Sequence, residues 1–173
     1  MRRFFGLATA LVALSLLFPL VAMAGPPGAR IPPGTVFIDA PAGLICPAAI
    51  GDVTWTVLDG QYSVVGKPGG RLMAGMGTAH VKVASAATGK FVVVDISGAG
   101  SASPVGDELL AYHISGKQLW GLFPGDAGPG DRTSARTYYF VGTTTALLVA
   151  ADGTALEFSY SGKIVMDVCA AIS

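Results

Sequence analysis

Beyond residue 24, no stretch of this chain exceeds 11 residues without a glycine or a proline. A glycine costs about 1 kcal/mol and a proline about 3 kcal/mol inside a helix, so long helices are excluded. What remains is about ten short apolar runs separated by turn signals. That pattern predicts an all-β fold, a single antiparallel β-sandwich or flattened β-barrel. In such a fold each strand buries one face and leaves the other to water.

The first 24 residues differ in kind. Met1-Arg2-Arg3 is a short positive segment, and Phe4 to Phe18 is mostly apolar. Pro19 then breaks the run, and Ala22-Met23-Ala24 offers small residues to a signal peptidase. Cleavage is expected between Ala24 and Gly25, which places the chain outside the cell. A retained anchor is the rival reading, but the apolar run is short for a span. Arg2-Arg3 alone does not choose between the general secretory and twin-arginine routes. The expected organisation is a signal peptide over 1–24, a Pro/Gly-rich spacer over 25–34 and a β domain over 35–173. No later run approaches the roughly 20 apolar residues of a membrane helix, so no membrane contact is expected after cleavage.

Charged residues make up 13% of the chain and apolar residues 51%, which supplies enough apolar surface to offset the entropy of ordering. Eleven basic residues balance eleven acidic ones, and removal of Arg2 and Arg3 leaves a slightly acidic domain. Nucleic-acid binding needs a clustered basic surface, so it is excluded as a role.

Cys46 and Cys169 are the only cysteines. In an oxidising compartment they are expected to form a disulfide that ties the start of the domain to its end. Free thiols, an intermolecular bridge or half a metal site are the other readings. A bridge closing so long a loop contributes about 5 kcal/mol in the chain-entropy model.

Hairpins can be placed from alternation and turn residues. Ala79–Ser85 and Phe91–Ser97 flank a turn at residues 86–90, with Val81 and Val83 alternating with His80 and Lys82. Ser115-Gly116-Lys117, Gly142 and Ser161-Gly162-Lys163 each read as a tight turn between strands. Lys67-Pro68-Gly69-Gly70-Arg71 reads as a turn too, and Asp152-Gly153 carries the strongest hairpin signal. Thr143–Asp152 is a strand by its β-branched residues, with a short helix as the alternative.

Motifs for chemistry are sparse. There is no G-x-S-x-G and no H-E-x-x-H, and Gly98-Ala99-Gly100 lacks the third glycine of a dinucleotide loop. No cofactor is implied. The two histidines, His80 and His113, rule out a three-histidine metal site but leave a spatially assembled Ser–His–Asp triad open. Asp126 and Asp131 lie in a Gly/Pro-rich loop where calcium is conceivable, although a solvated surface loop is the simpler reading. Trp55, Trp120, Tyr62, Tyr112, Tyr138, Tyr139 and Tyr160 suit a β core better than a sugar-stacking platform. The chain contains no asparagine, which removes N-glycosylation.

Several segments together carry a resemblance: Pro41-Ala42-Gly43-Leu44-Ile45-Cys46, Ala87-Thr88-Gly89-Lys90, Leu122-Phe123-Pro124-Gly125-Asp126 with Gly128-Pro129, Tyr139 to Gly142, and Met166-Asp167-Val168-Cys169-Ala170-Ala171. The chain resembles a family of uncharacterised secreted actinobacterial proteins with an A-G-x-x-C start, an F-P-x-D loop and a D-x-C-A-A end. It departs at Val83-Ala84-Ser85, where members often carry Thr-Asn. The resemblance spans about Pro41 to Ile172. It implies export and paired cysteines, and it imports no catalytic residue.

Three functional classes follow. The first is a non-enzymatic extracellular or wall-associated protein that binds a partner or ligand through a sheet face or its loops. The second is a carrier of a small apolar ligand, which calls for a pocket of roughly 300 Å³ or more. The third is a hydrolase, which requires His80 or His113 within hydrogen-bond reach of both a carboxylate and a hydroxyl. The absent motifs lean away from an enzyme.

Overall fold

The computed structural model describes residues 29–66, 73–149 and 154–173. The proposed cleavage site at Ala24–Gly25, the turn at 67–71 and the Asp152-Gly153 turn lie outside these residues.

The fold is all-β. One antiparallel sheet, curled into a half-barrel, contains β1 (Ala29–Arg30), β2 (Val36–Ala40), β3 (Val53–Gly66), β4 (Met73–Ser85), β5 (Phe91–Val105), β6 (Leu109–Leu122), β7 (Arg136–Val149) and β8 (Ala155–Asp167). From β3 onward each strand pairs with the next, and β1 and β2 share the outer edge of β3. A four-residue helix, α1 (Val168–Ala171), follows β8, and the Asp167 carboxylate accepts from Ala170 N at its start.

The strands are longer than the sequence suggests. Residues 115–117, 142 and 161–163 are not turns but lie inside β6, β7 and β8. Their glycines fall in one row across the sheet. Gly77 pairs with Gly98, Gly98 with Gly116, Gly116 with Gly142, and Gly142 with Gly162. A Cβ on Gly116 would stand 2.1 Å from Ser97 O, and one on Gly142 2.0 Å from Ser161 O. With φ of 114° and 145°, these two positions also need a backbone that side-chain-bearing residues rarely adopt. The row is a crease along which five strands fold.

Other expectations hold. Residues 86–90 connect β4 to β5, and Val81 and Val83 are buried while His80 is exposed. Thr143–Val149 is strand, so the helical alternative for this segment is set aside. The spacer over 25–34 needs correction at its end: Ala29 and Arg30 pair with Tyr62 and Gln61, and Ile31 is buried in the core.

Two apolar cores form, on opposite faces of the sheet where Leu119 and Trp120 alternate along β6. The first joins Val57, Val81 and Val94 to Leu119, Tyr139, Val168 and Ile172. The second, on the inside of the fold, joins Tyr112, Trp120, Phe140, Ala146 and Leu148. The Cys46–Cys169 disulfide, with a Cα–Cα distance of 5.5 Å, sits buried in the first core. It pins the segment before β3 to α1. Thr137 Oγ1 on β7 donates to Ile45 O at 2.7 Å, and Thr88 Oγ1 in the β4–β5 turn donates to Ile172 O at 2.6 Å. The Ile45–Cys46 segment and α1 thereby stop one end of the half-barrel.

Candidate functional site

The β5–β6 ladder ends at Ser97 and Lys117. Beyond that point Phe91–Ile96 stays with β4, while Gln118–Leu122 stays with β7. The two strands therefore part into a fork beside the crease. A cavity of about 120 Å³ lies there. Phe37, Trp55, Tyr62, Ile96, Leu119 and Trp120 wall it, and Met76, Ala99 and Lys117 stand at its exposed rim. Leu119 belongs to the first core and Trp120 to the second, so the cavity opens where the two meet.

Beside the fork a buried side chain ties backbone carbonyls of two neighbouring strands together. Gln118 Nε2 donates to Ile114 O at 3.1 Å and to Gly142 O at 2.9 Å, while its Oε1 accepts from Trp120 Nε1 at 2.9 Å. These bonds bridge the crease and hold the Trp120 ring in the cavity wall. The indole Nε1 of Trp55 is buried without a hydrogen-bond partner among the described residues. An unpaired buried donor costs free energy.

The fork is latched from outside. Lys117 Nζ on β6 donates to the Asp95 carboxylate on β5, and Tyr139 Oη on β7 donates to Asp95 O at 2.7 Å. Asp95 raises the Lys117 pKa, and burial is the main cause that raises the pKa of Tyr139. On the same outer surface His80 Nδ1 lies 2.7 Å from Asp59 Oδ1. That hydrogen bond, together with the Asp59 charge, raises the His80 pKa. No Ser or Thr hydroxyl hydrogen-bonds to His80 or His113 among the described residues, so neither has the nucleophile a triad requires.

The Asp126–Asp131 loop is organised by its own bonds. Asp126 is buried, and its carboxylate accepts from Phe123 N at 2.7 Å and from Ala155 N at 2.9 Å. Arg136, buried beneath, donates to Pro129 O, Ser134 O and Asp126 O. Asp131 is exposed and accepts from Thr133 N and Thr133 Oγ1. The bond from the Thr133 backbone, ahead of that from its hydroxyl, lowers the Asp131 pKa. The described residues contain no group of three or more His, Cys, Asp or Glu side chains placed to hold a metal ion.

The aromatic residues divide as core and cavity wall. Trp55, Trp120, Tyr62, Tyr112 and Tyr139 are buried, and only Tyr160 is exposed, so no sugar platform forms from the set. The crease and fork were missed in the sequence, although a glycine in the middle of each long run was a visible signal. No helix among the described residues is long and apolar enough to cross a membrane. No protein-family model, curated protein or solved structure matches the chain.

Proposed function

We propose that the chain is an exported, non-enzymatic binding protein of the extracellular space or cell wall, whose ligand seat is the cavity at the β5–β6 fork. The observation that carries this reading is the cavity's wall: four aromatic side chains, Phe37, Trp55, Tyr62 and Trp120, with Ile96 and Leu119, in a site held open by strand geometry. The signal-like leader, the buried disulfide and the resemblance to a secreted actinobacterial family support export.

Size limits the ligand. At about 120 Å³ the cavity is smaller than the 300 Å³ that a general carrier calls for. A dry cavity of about 150 Å³ holds benzene in another protein. The seat therefore suits one small ring or a short branched chain rather than a lipid.

The chain's own fluorescence tests the idea, because both of its tryptophans line the cavity. Titration with benzene, isopentanol and decanoate is expected to give a saturable change in emission for the first two and none for the third. An Ala99→Leu variant, filling the rim, should abolish the response while its melting temperature stays near that of the parent. An unchanged parent spectrum with benzene and isopentanol would exclude the cavity as the seat.

A further inference from the structure

The sheet has two unequal edges. On one side the short strands β1 and β2 cover β3; on the other, β8 pairs among the described residues with β7 alone, and past Ala155, whose N and O bond to Asp126 and Ala127 of the preceding loop, its edge is open. An uncovered edge strand is a template for another strand.

Two bulges delimit the usable part of that edge. The β7–β8 register skips Leu156 at one end and Val165 at the other, and both extra residues are exposed. Between them, Glu157–Ile164 pairs without a break. Along this segment Phe158, Tyr160 and Ile164 share the face of the second core, and Tyr160 is 44% exposed. Glu157, Ser159, Ser161 and Lys163 take the alternate positions and are exposed.

We propose that two copies of this chain join edge to edge through β8, antiparallel about a two-fold axis at Tyr160. The sequence of the segment matches itself in that register. Glu157 lies opposite Lys163 of the second copy, and Lys163 opposite its Glu157, giving two charge pairs. Phe158 lies opposite Gly162, the crease glycine, so no side chain opposes the ring. Ser159 faces Ser161, and the two Tyr160 rings meet and lose solvent exposure. Moving the axis by one residue in either direction separates both charge pairs and runs the segment into a bulge. Antiparallel partners of opposite charge each contribute about 0.2–1 kcal/mol, and like charges oppose pairing.

Light scattering on the purified chain, with dilution to find the dissociation constant, tests the proposal. A dimer is expected. Glu157→Lys and Lys163→Glu should each weaken it about thirtyfold, since each variant turns two attractions into two repulsions. Mixing the two variants should restore the dimer, because each then meets the opposite charge. That recovery also separates lost pairing from lost folding, and a Glu157→Lys/Lys163→Glu double variant should dimerise as the parent does. A parent that stays monomeric at high micromolar concentration overturns the proposal. So does a dimer indifferent to both reversals, which would place the contact on another surface, or a mixture that stays monomeric. None of these readings depends on a ligand in the cavity, whose lining includes no residue of β8.

Discussion

The rings of Trp120 and Phe158 meet edge to face with centroids 5.1 Å apart. In the strand register Phe158 aligns through Ala146 with Tyr112, eight residues along β6 from Trp120. On a flat sheet that offset would be about 26 Å. The contact exists because the sheet folds at the glycine row, bringing the upper half of β8 down on the lower half of β6. Gln118, bridging Ile114 O and Gly142 O, holds the fold from inside.

Filling the crease should therefore unfold the protein. In Gly116→Ala the new methyl group meets Ser97 O at about van der Waals overlap, at a φ that alanine disfavours. We expect a loss of at least about 3 kcal/mol in urea unfolding. Gly89→Ala is the comparison: its φ is also positive, at 69°, but nothing lies within 4 Å of the added carbon. It should cost only about 1–2 kcal/mol. Equal losses in the two variants would contradict the crease.

The disulfide stops one end of the half-barrel and should be inert in the native protein. Unreduced chain in denaturant is expected to take up no thiol reagent. A Cys46→Ser/Cys169→Ser variant should lose about 2–5 kcal/mol. The loss should appear first as exchange of amide protons in α1, which the bridge holds against Ile45 and β7. Labelling of the unreduced chain would refute the pairing.

Asp126 acts as the staple of the 123–135 loop. Asp126→Ala removes the acceptor for two backbone donors, Phe123 N and Ala155 N, and leaves both without that partner in a buried loop. A loss of about 3 kcal/mol is expected. Because both carboxylate oxygens are already occupied, added calcium should leave the parent's melting temperature unchanged. A rise with calcium would show that the loop reorganises around the ion.

The His80–Asp59 pair gives a pH signature. Its folded-state pKa lies above the unperturbed value of about 6.5 because of the Asp59 hydrogen bond and charge. The pair's contribution to stability is thus full below the unfolded pKa and is lost as pH rises through the higher folded value. Both groups are exposed, so the energy is small. The measurement is an NMR titration of the His80 ring, with Asp59→Asn returning the midpoint toward the free imidazole value. A parent midpoint at or below that value would contradict the pair.

Tyr139→Phe tests the latch over the fork. It removes the hydroxyl that donates to Asp95 O and keeps the ring in the first core. The expected cost is about 1 kcal/mol, with faster amide exchange in β5 and β6 near Ser97 and Lys117. Exchange unchanged at those residues would mean that the fork is held by packing alone.

The sequence by itself determined the class of fold and much of its patterning. Frequent glycine and proline excluded long helices, and alternation placed Val81 and Val83 inward and His80 outward. The two cysteines at opposite ends named the bridge. These are local properties or follow from a choice of one. Tertiary structure alone decided what Gly116, Gly142 and Gly162 do. A glycine tolerates positive φ equally well in a tight turn and in a strand that folds sharply, so the local signal is the same. Only register, which aligns five glycines across neighbouring strands, turns those positions into a crease. The fork between β5 and β6 and the cavity inside it exist only once that crease has formed.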